Sequence, residues 1–176
     1  VTAAATARGR HARVMSSVSI SDAFDAGNIR RVGEDSEGVV RLEIKPDPFT
    51  ELEQVAHMQW FAFRATPSDD TAADVTYEIL NAGNASFAKA WEGSEVVASR
   101  DRVTWERVAS TTYDADSGVL KFSWSHDEPG SVYFAYFDLY PYERQLELVA
   151  TCAAVTGASA ARGPRADSAA ATARQL

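Results

Sequence analysis

Turn signals recur about every ten residues between positions 27 and 130, and this spacing limits the fold more than any other feature. Gly27 with Asn28, Pro46 to Pro48, Pro67 to Ala73, Asn81 to Asn84, Arg100 to Arg102, Asp114 to Gly118 and His126 to Gly130 are rich in residues that accept positive φ, preset φ or bond their own backbone. The intervals between them are too short for ordinary helices. They suit strands. Val40, Leu42 and Ile44 alternate with Arg41, Glu43 and Lys45; Val75, Tyr77 and Ile79 alternate with Thr76 and Glu78; Leu120, Phe122 and Trp124 alternate with Lys121 and Ser123. Each reads as a strand with one buried and one wet face.

Met58 to Ala65 carries large groups on both faces and belongs in the middle of a sheet. Shorter stretches at Ser17 to Ile29, Glu95 to Ser99 and Val103 to Val108 add further strands, the last with Val103 and Trp105 on one face. Ser86 to Gly93 fits either a loop or an irregular strand. Ser131 to Phe137, apolar on both faces, reads as a strand covered on both sides, a sandwich interior or a domain contact. Pro141 ends ladder pairing, and Tyr142, Leu146 and Val149 then repeat at helical spacing. The expectation is an all-β, antiparallel β-sandwich of about eight to nine short strands, with a short C-terminal helix and a disordered tail.

The domain plan follows from composition. Residues 1–15, Ala-, Thr- and Arg-rich with Met15 as a natural start, read as a disordered extension; 16–141 as the sandwich; 142–154 as the start of a linker helix; 155–176 as a low-complexity tail too poor in large apolar groups to offset the entropy of ordering. The chain opens on Val1 rather than Met, the mark of a fragment or an over-extended reading frame.

Charge narrows the partners. Of the net charge of −8, the first 14 residues contribute +3 (Arg8, Arg10, Arg13) and residues 157–176 contribute +2 (Arg162, Arg165 and Arg174 against Asp167), so the part between carries −13. So acidic a body argues against nucleic acid. The single Cys152 suits a reducing compartment, and no apolar run is long enough for a membrane span, so the reading is cytoplasmic with no membrane partner.

Catalytic signals are missing from the expected places. Zinc peptidases present imidazoles and a carboxylate at spacings such as His-x-x-Glu, yet three residues on from His11, His57 and His126 stand Val14, Trp60 and Pro129. His126, beside Asp127 and Glu128, is polar enough to attract a metal, but reads as part of a solvated turn. No serine lies in a Gly-x-Ser-x-Gly elbow, and Cys152 has no neighbouring base. Trp60, Trp91, Trp105 and Trp124 have two readings, core packing or a platform that stacks sugars.

Five stretches carry a family resemblance: SDAFDAGNI (Ser21 to Ile29), QWFAFR (Gln59 to Arg64), YEILNAGNASFAKAWEG (Tyr77 to Gly93), VVASRDRVTWERV (Val96 to Val108) and VYFAYFDLYPYE (Val132 to Glu143). In this order and spacing, over about residues 16–150, the chain resembles the N-terminal domain of the cytosolic carboxypeptidases, a subfamily of zinc metallocarboxypeptidases. The resemblance implies an antiparallel sandwich packed against a catalytic α/β domain that follows in cis. That domain would hold the zinc, with a His-x-x-Glu pair and a later His, and remove C-terminal residues, often glutamate, from peptide or protein substrates. After Ala150 the chain departs from this pattern, so no catalytic or metal-binding residue carries over, and no cofactor is expected in this chain. By analogy with the family, Trp60, Arg64, Tyr136, Tyr140, Pro141 and Tyr142 are candidates for the domain interface. A stand-alone sandwich that binds a peptide or a carbohydrate is the alternative.

Overall fold

The structure is a computed structural model that describes residues 18–33, 38–49, 51–68 and 73–161. The extension expected over 1–15 and the tail from residue 162 onward lie outside the described residues. The chain divides into two units, one ending at Leu139 and one beginning at Tyr140.

The first unit holds β1 (Val18–Ser21), β2 (Arg30–Arg31), β3 (Val39–Glu43), β4 (Ala62–Pro67), β5 (Ala73–Ile79), β6 (Val97–Ser99), β7 (Glu106–Arg107), β8 (Thr112–Asp114), β9 (Val119–His126) and β10 (Val132–Ala135). Sheet I has the order β1-β4-β10-β6-β7, and sheet II the order β2-β3-β5-β9-β8. The all-β sandwich is thus the observed architecture. One pair departs from the antiparallel rule: β3 and β5 run parallel. Parallel neighbours need a long crossover. Here β4, lying in the opposite sheet, supplies it.

The alternating stretches fold as their period requires. Leu42, Tyr77, Ile79 and Phe122 are fully buried, and sheet I answers with Phe61, Phe63, Val132 and Phe134. Four rings, Phe63, Tyr77, Phe122 and Phe134, lock the two sheets together at centroid distances of 5.1 to 6.4 Å. Such tilted and offset contacts add to the burial of each ring.

The shortest strands were not legible beforehand. Arg30–Arg31 and Thr112–Asp114 are edge strands held by pairing with β3 and β9. Of the stretch from Val103 to Val108 only Glu106–Arg107 pairs, because the Asp101 carboxylate accepts from the backbone N–H of Val103 and Thr104 and holds a turn there. Ser86 to Gly93 contains a 3₁₀ turn, Ala88–Trp91, whose Trp91 indole donates to the Ala82 carbonyl at 2.9 Å.

Two asparagines extend the sheets with side chains. Asn81 pairs with the backbone of Ile44 in both directions: its Oδ1 accepts from the N–H at 2.9 Å, and its Nδ2 donates to the carbonyl at 2.9 Å. Asn28, 3% exposed, donates from Nδ2 to the carbonyls of Lys45 and Trp60. Just past Asn81, the Gly83 N–H donates to the Gly118 carbonyl, and a Cβ on Gly83 would lie 2.7 Å from the Gly118 Cα. Only glycine permits that crossing.

His126 corrects the reading of a solvated turn. It ends β9 at 2% exposure, with Nε2 2.7 Å from the Tyr77 hydroxyl. Tyr77 lies across the neighbouring strand and makes that end of the sandwich deep enough to enclose an imidazole.

The second unit contains α1 (Tyr142–Ala161), which begins directly after Pro141, as its helical spacing requires. The Pro141 carbonyl accepts the first helical bond, from the Gln145 N–H at 3.2 Å. The helix continues past Ala154. Among the described residues no helix is long and apolar enough to cross a membrane.

Two outcomes follow from this packing. Asn81→Ala leaves both polar groups of Ile44 without their partner and is expected to cost about 2 kcal/mol in denaturant unfolding. Burial, helped by the Arg100 guanidinium and opposed by Asp127, holds the His126 imidazole down at about 4 against an ordinary 6.5. The unfolded chain therefore takes up a proton below pH 6.5 that the folded chain refuses until about pH 4. Stability contributed by this group is full above pH 6.5 and falls as the pH drops toward 4, by about 3 kcal/mol in all. Denaturation midpoints measured across that window should show the slope, and His126→Gln should flatten it.

Candidate interaction face

Register sorts the residues of sheet I into two faces. β4 and β10 set Phe63 beside Phe134, Arg64 beside Tyr133 and Ala62 beside Ala135. Because side chains alternate, the phenylalanines enter the sandwich while Ala62, Arg64, Tyr133 and Ala135 point to the other side. β6 adds Val97 beside Ala135 and Ser99 beside Tyr133; β7 adds Arg107 beside Val97. This outer face is apolar at its centre. Ala62, Val97, Ala135 and Leu139 are all buried, at 0 to 4% exposure, under the partly buried rings of Phe24, Trp60 and Trp105.

Loops supply that cover. The Asp22 carboxylate accepts from the Ile29 N–H and pairs with Lys45, closing a turn that lays Phe24 edge-on to the Tyr133 ring at 5.3 Å. The Trp60 indole donates to the Ala26 carbonyl at 2.7 Å and meets Phe137 at 4.7 Å. On the other flank the Arg102 guanidinium stands 5.4 Å from the Tyr133 ring centre. Its loop is held by Asp101, whose pKa the N–H groups of Thr104 and Val103 and the Ser99 hydroxyl keep down at about 2.

The two outer faces differ in charge bookkeeping. On sheet II, Arg30 pairs with Glu43, and Glu78 takes both Arg41 at 3.7 Å and Lys121 at 3.3 Å. On sheet I, Arg64, Arg102 and Arg107 have no carboxylate partner among the described residues. Arg64 Nε and Trp105 Nε1 are covered and without an acceptor.

Of the sequence candidates, Trp60 and Arg64 come to this outer face. Tyr136 follows Phe134 in parity and packs inward, with Trp91 at 4.6 Å and Phe61 at 6.5 Å. Tyr140 and Tyr142 are exposed and Pro141 is half-buried; all three belong to the second unit. Sequence reasoning passed over Phe24, Tyr133, Phe137 and Arg102 as face residues. For Tyr133 and Phe137 the signal was available, because β10 puts every other residue on the side away from Phe134.

The platform reading of the tryptophans finds little support here. Trp91 is 1% exposed in the core, and Trp124 packs on the core's edge. A groove of about 300 Å³ on sheet II is lined by Glu78, Tyr113, Asp114 and Lys121 among others, but Glu78 and Lys121 already pair with each other. Among the described residues no three His, Cys, Asp or Glu side chains gather as a metal site. His57 is taken by Asp47 at 2.7 Å, and His126 by Tyr77.

The family model of the cytosolic carboxypeptidase N-terminal domain matches residues 20–137. An uncharacterized protein of Zymomonas mobilis subsp. mobilis is 32% identical over 138 residues, 78% of this chain and 33% of that one. A metallo-carboxypeptidase from Burkholderia cenocepacia has a similar fold, with a TM-score of 0.67 at 31% identity, over 78% of this chain and 33% of its own. A metallo-carboxypeptidase from Pseudomonas aeruginosa, in complex with (2-guanidinoethylmercapto)succinic acid, gives a TM-score of 0.64 at 35% identity, over 76% of this chain and 33% of its own. The chain thus spans about one third of the length of each.

Cover and centre of the face should respond differently to mutation. Trp60→Ala opens the outer cluster and loses the Ala26 hydrogen bond, for an expected cost of about 2 kcal/mol. Phe137 is 55% exposed, and Phe137→Ser should cost less than about 1 kcal/mol by the same denaturant measurement.

Proposed function

The chain belongs to the cytosolic carboxypeptidase N-terminal domain family, and from this we propose that it is the accessory β-sandwich of a zinc metallocarboxypeptidase. The observation that carries the reading is the family match over 20–137 combined with relatives that are about three times as long as the stretch they share. The metal and the hydrolytic machinery would belong to the part of those proteins that this chain does not cover. The parent reaction would remove C-terminal residues, often glutamate, from a peptide or protein, in the cytosol that the family's name implies.

Within such an enzyme the sandwich would act as a rigid companion of the catalytic domain in cis. The chemistry of the described residues favours that part over catalysis. Both described histidines hold the fold together, one as a partner of Asp47 and one as a partner of Tyr77. Trp60 and Arg64, on the outer face of sheet I, and Tyr140, Pro141 and Tyr142, immediately after it in the chain, would be contact residues.

The purified 176-residue chain is expected to bind no stoichiometric zinc and to release no glutamate from a peptide with a glutamate-rich C-terminus, with or without added zinc. Metal content by mass spectrometry and amino-acid release by chromatography read both. Metal-dependent release by the chain alone would sink the accessory reading.

A further inference from the structure

We propose that the outer face of sheet I is the docking surface for a carboxylate-bearing patch of the catalytic domain, with Arg64, Arg102 and Arg107 supplying charge around an aromatic centre of Trp60, Tyr133 and Phe137. The inference rests on the accessory reading and specifies the face and the chemistry of its partner.

Charge complementarity is the first argument. The chain carries a net −8, so an arginine on it has many possible acidic neighbours, and the sheet II face uses them. The three arginines of the sheet I face remain without an ion pair among the described residues, although Asp101 and Glu106 are the chain neighbours of Arg102 and Arg107. Asp101 turns its Oδ1 to Ser99, Val103 and Thr104, and Asp101, Glu106 and the exposed Asp138 form no ion pair with any of the three. Arg64 is half-buried with its Nε covered and without an acceptor, so its head group is already partly desolvated. Arginine in that state binds a planar carboxylate at little further cost.

The path of the chain is the second. Leu139, the last residue of the first unit, is 1% exposed and belongs to the buried cluster of this very face. The last residue of the first unit is thus anchored on this face. The relatives continue for about twice the length they share with this chain, enough for a catalytic domain. The third is the apolar centre, where Phe137 is 55% exposed over the Trp60 ring. Aromatic groups ringed by arginine match the composition of interface cores.

The test uses a chimera in which residues 18–139 replace the matched third of the Pseudomonas aeruginosa metallo-carboxypeptidase, compared with the free chain by hydroxyl-radical footprinting and arginine-selective labelling. The expected result is severalfold protection of Trp60 and Phe137 and of Arg64, Arg102 and Arg107 in the chimera, with Tyr113 on sheet II unchanged. Arg64→Glu with Arg107→Glu should abolish the protection, while Arg41→Glu should leave it in place. Protection centred on Tyr113 instead would overturn the choice of face and leave the accessory reading standing. Equal labelling everywhere in a zinc-loaded, active chimera would overturn both. Protection of the same side chains in the free chain as its concentration rises would assign the face to a second copy and overturn the proposal. If the chimera does not fold, the free chain is footprinted with the catalytic portion added in trans, and an unprotected sheet I face there counts against it.

Discussion

Sheet I is apolar on both sides but has another sheet against only one of them, and the rest of the structure adjusts to that imbalance. Toward sheet II, Phe63 and Phe134 close on Tyr77 and Phe122. Away from it, Ala62, Val97 and Ala135 leave a shallow apolar floor. A sheet with two apolar faces ordinarily sits between two other layers. In this unit the third layer is improvised from loops: Phe24 is brought over by the Asp22 turn, Trp60 is tied to Ala26, and Leu139 folds down just before the unit ends. Small residues on the floor make this possible. A larger side chain at Ala62 or Ala135 would lift those loops away.

The stretches that carry the family resemblance are largely devices for holding loops, these and others. In SDAFDAGNI, Asp22 closes the turn, and Asn28 clips it to Lys45 and Trp60. In YEILNAGN, Asn81 substitutes for a strand against Ile44, Ala82 receives the Trp91 indole, and Gly83 lets the chain cross Gly118. Each such residue satisfies backbone groups that would otherwise be buried without partners, a demand as strict as any catalytic one. A family can therefore be recognisable by motifs that perform no chemistry. That is consistent with an accessory role for the chain.

How much of this was legible in the sequence depends on the range of the force that decides it. Strands such as β5 and β9 are long enough for a period-two pattern to declare both strand and buried face, and Pro141 declares where α1 begins. Arg30–Arg31 and Glu106–Arg107 have no local pattern; they are strands because a neighbour offers a free edge. The parallel placement of β3 and β5 depends on a crossover through the opposite sheet, which periodicity cannot express. His126 misled for a similar reason: its sequence neighbours Asp127 and Glu128 speak of solvent, while its burial comes from Tyr77, 49 residues away. Of the face residues, Trp60 and Arg64 were legible through the resemblance. Arg102 was not, since its position over Tyr133 depends on a turn that Asp101 and a left-handed backbone, φ +63°, create together.

That turn also bears on why an unpaired arginine face can persist on a protein this acidic. Arginine is weakly hydrated and lays its stem along apolar surface, so Arg64 and Arg102 can cover the floor of the face without a carboxylate to hold them. The Tyr133 ring stabilises the Arg102 guanidinium through its π face, which asks no negative charge of the protein. The cations therefore remain uncommitted at small cost. Had the face evolved only to meet water, mutual pairing of the kind seen between Glu78, Arg41 and Lys121 would serve equally well and would require no aromatic support. Charges kept unneutralised make sense where a partner completes them, and the fold sets two of them, Arg64 and Arg102, beside the same Tyr133 ring.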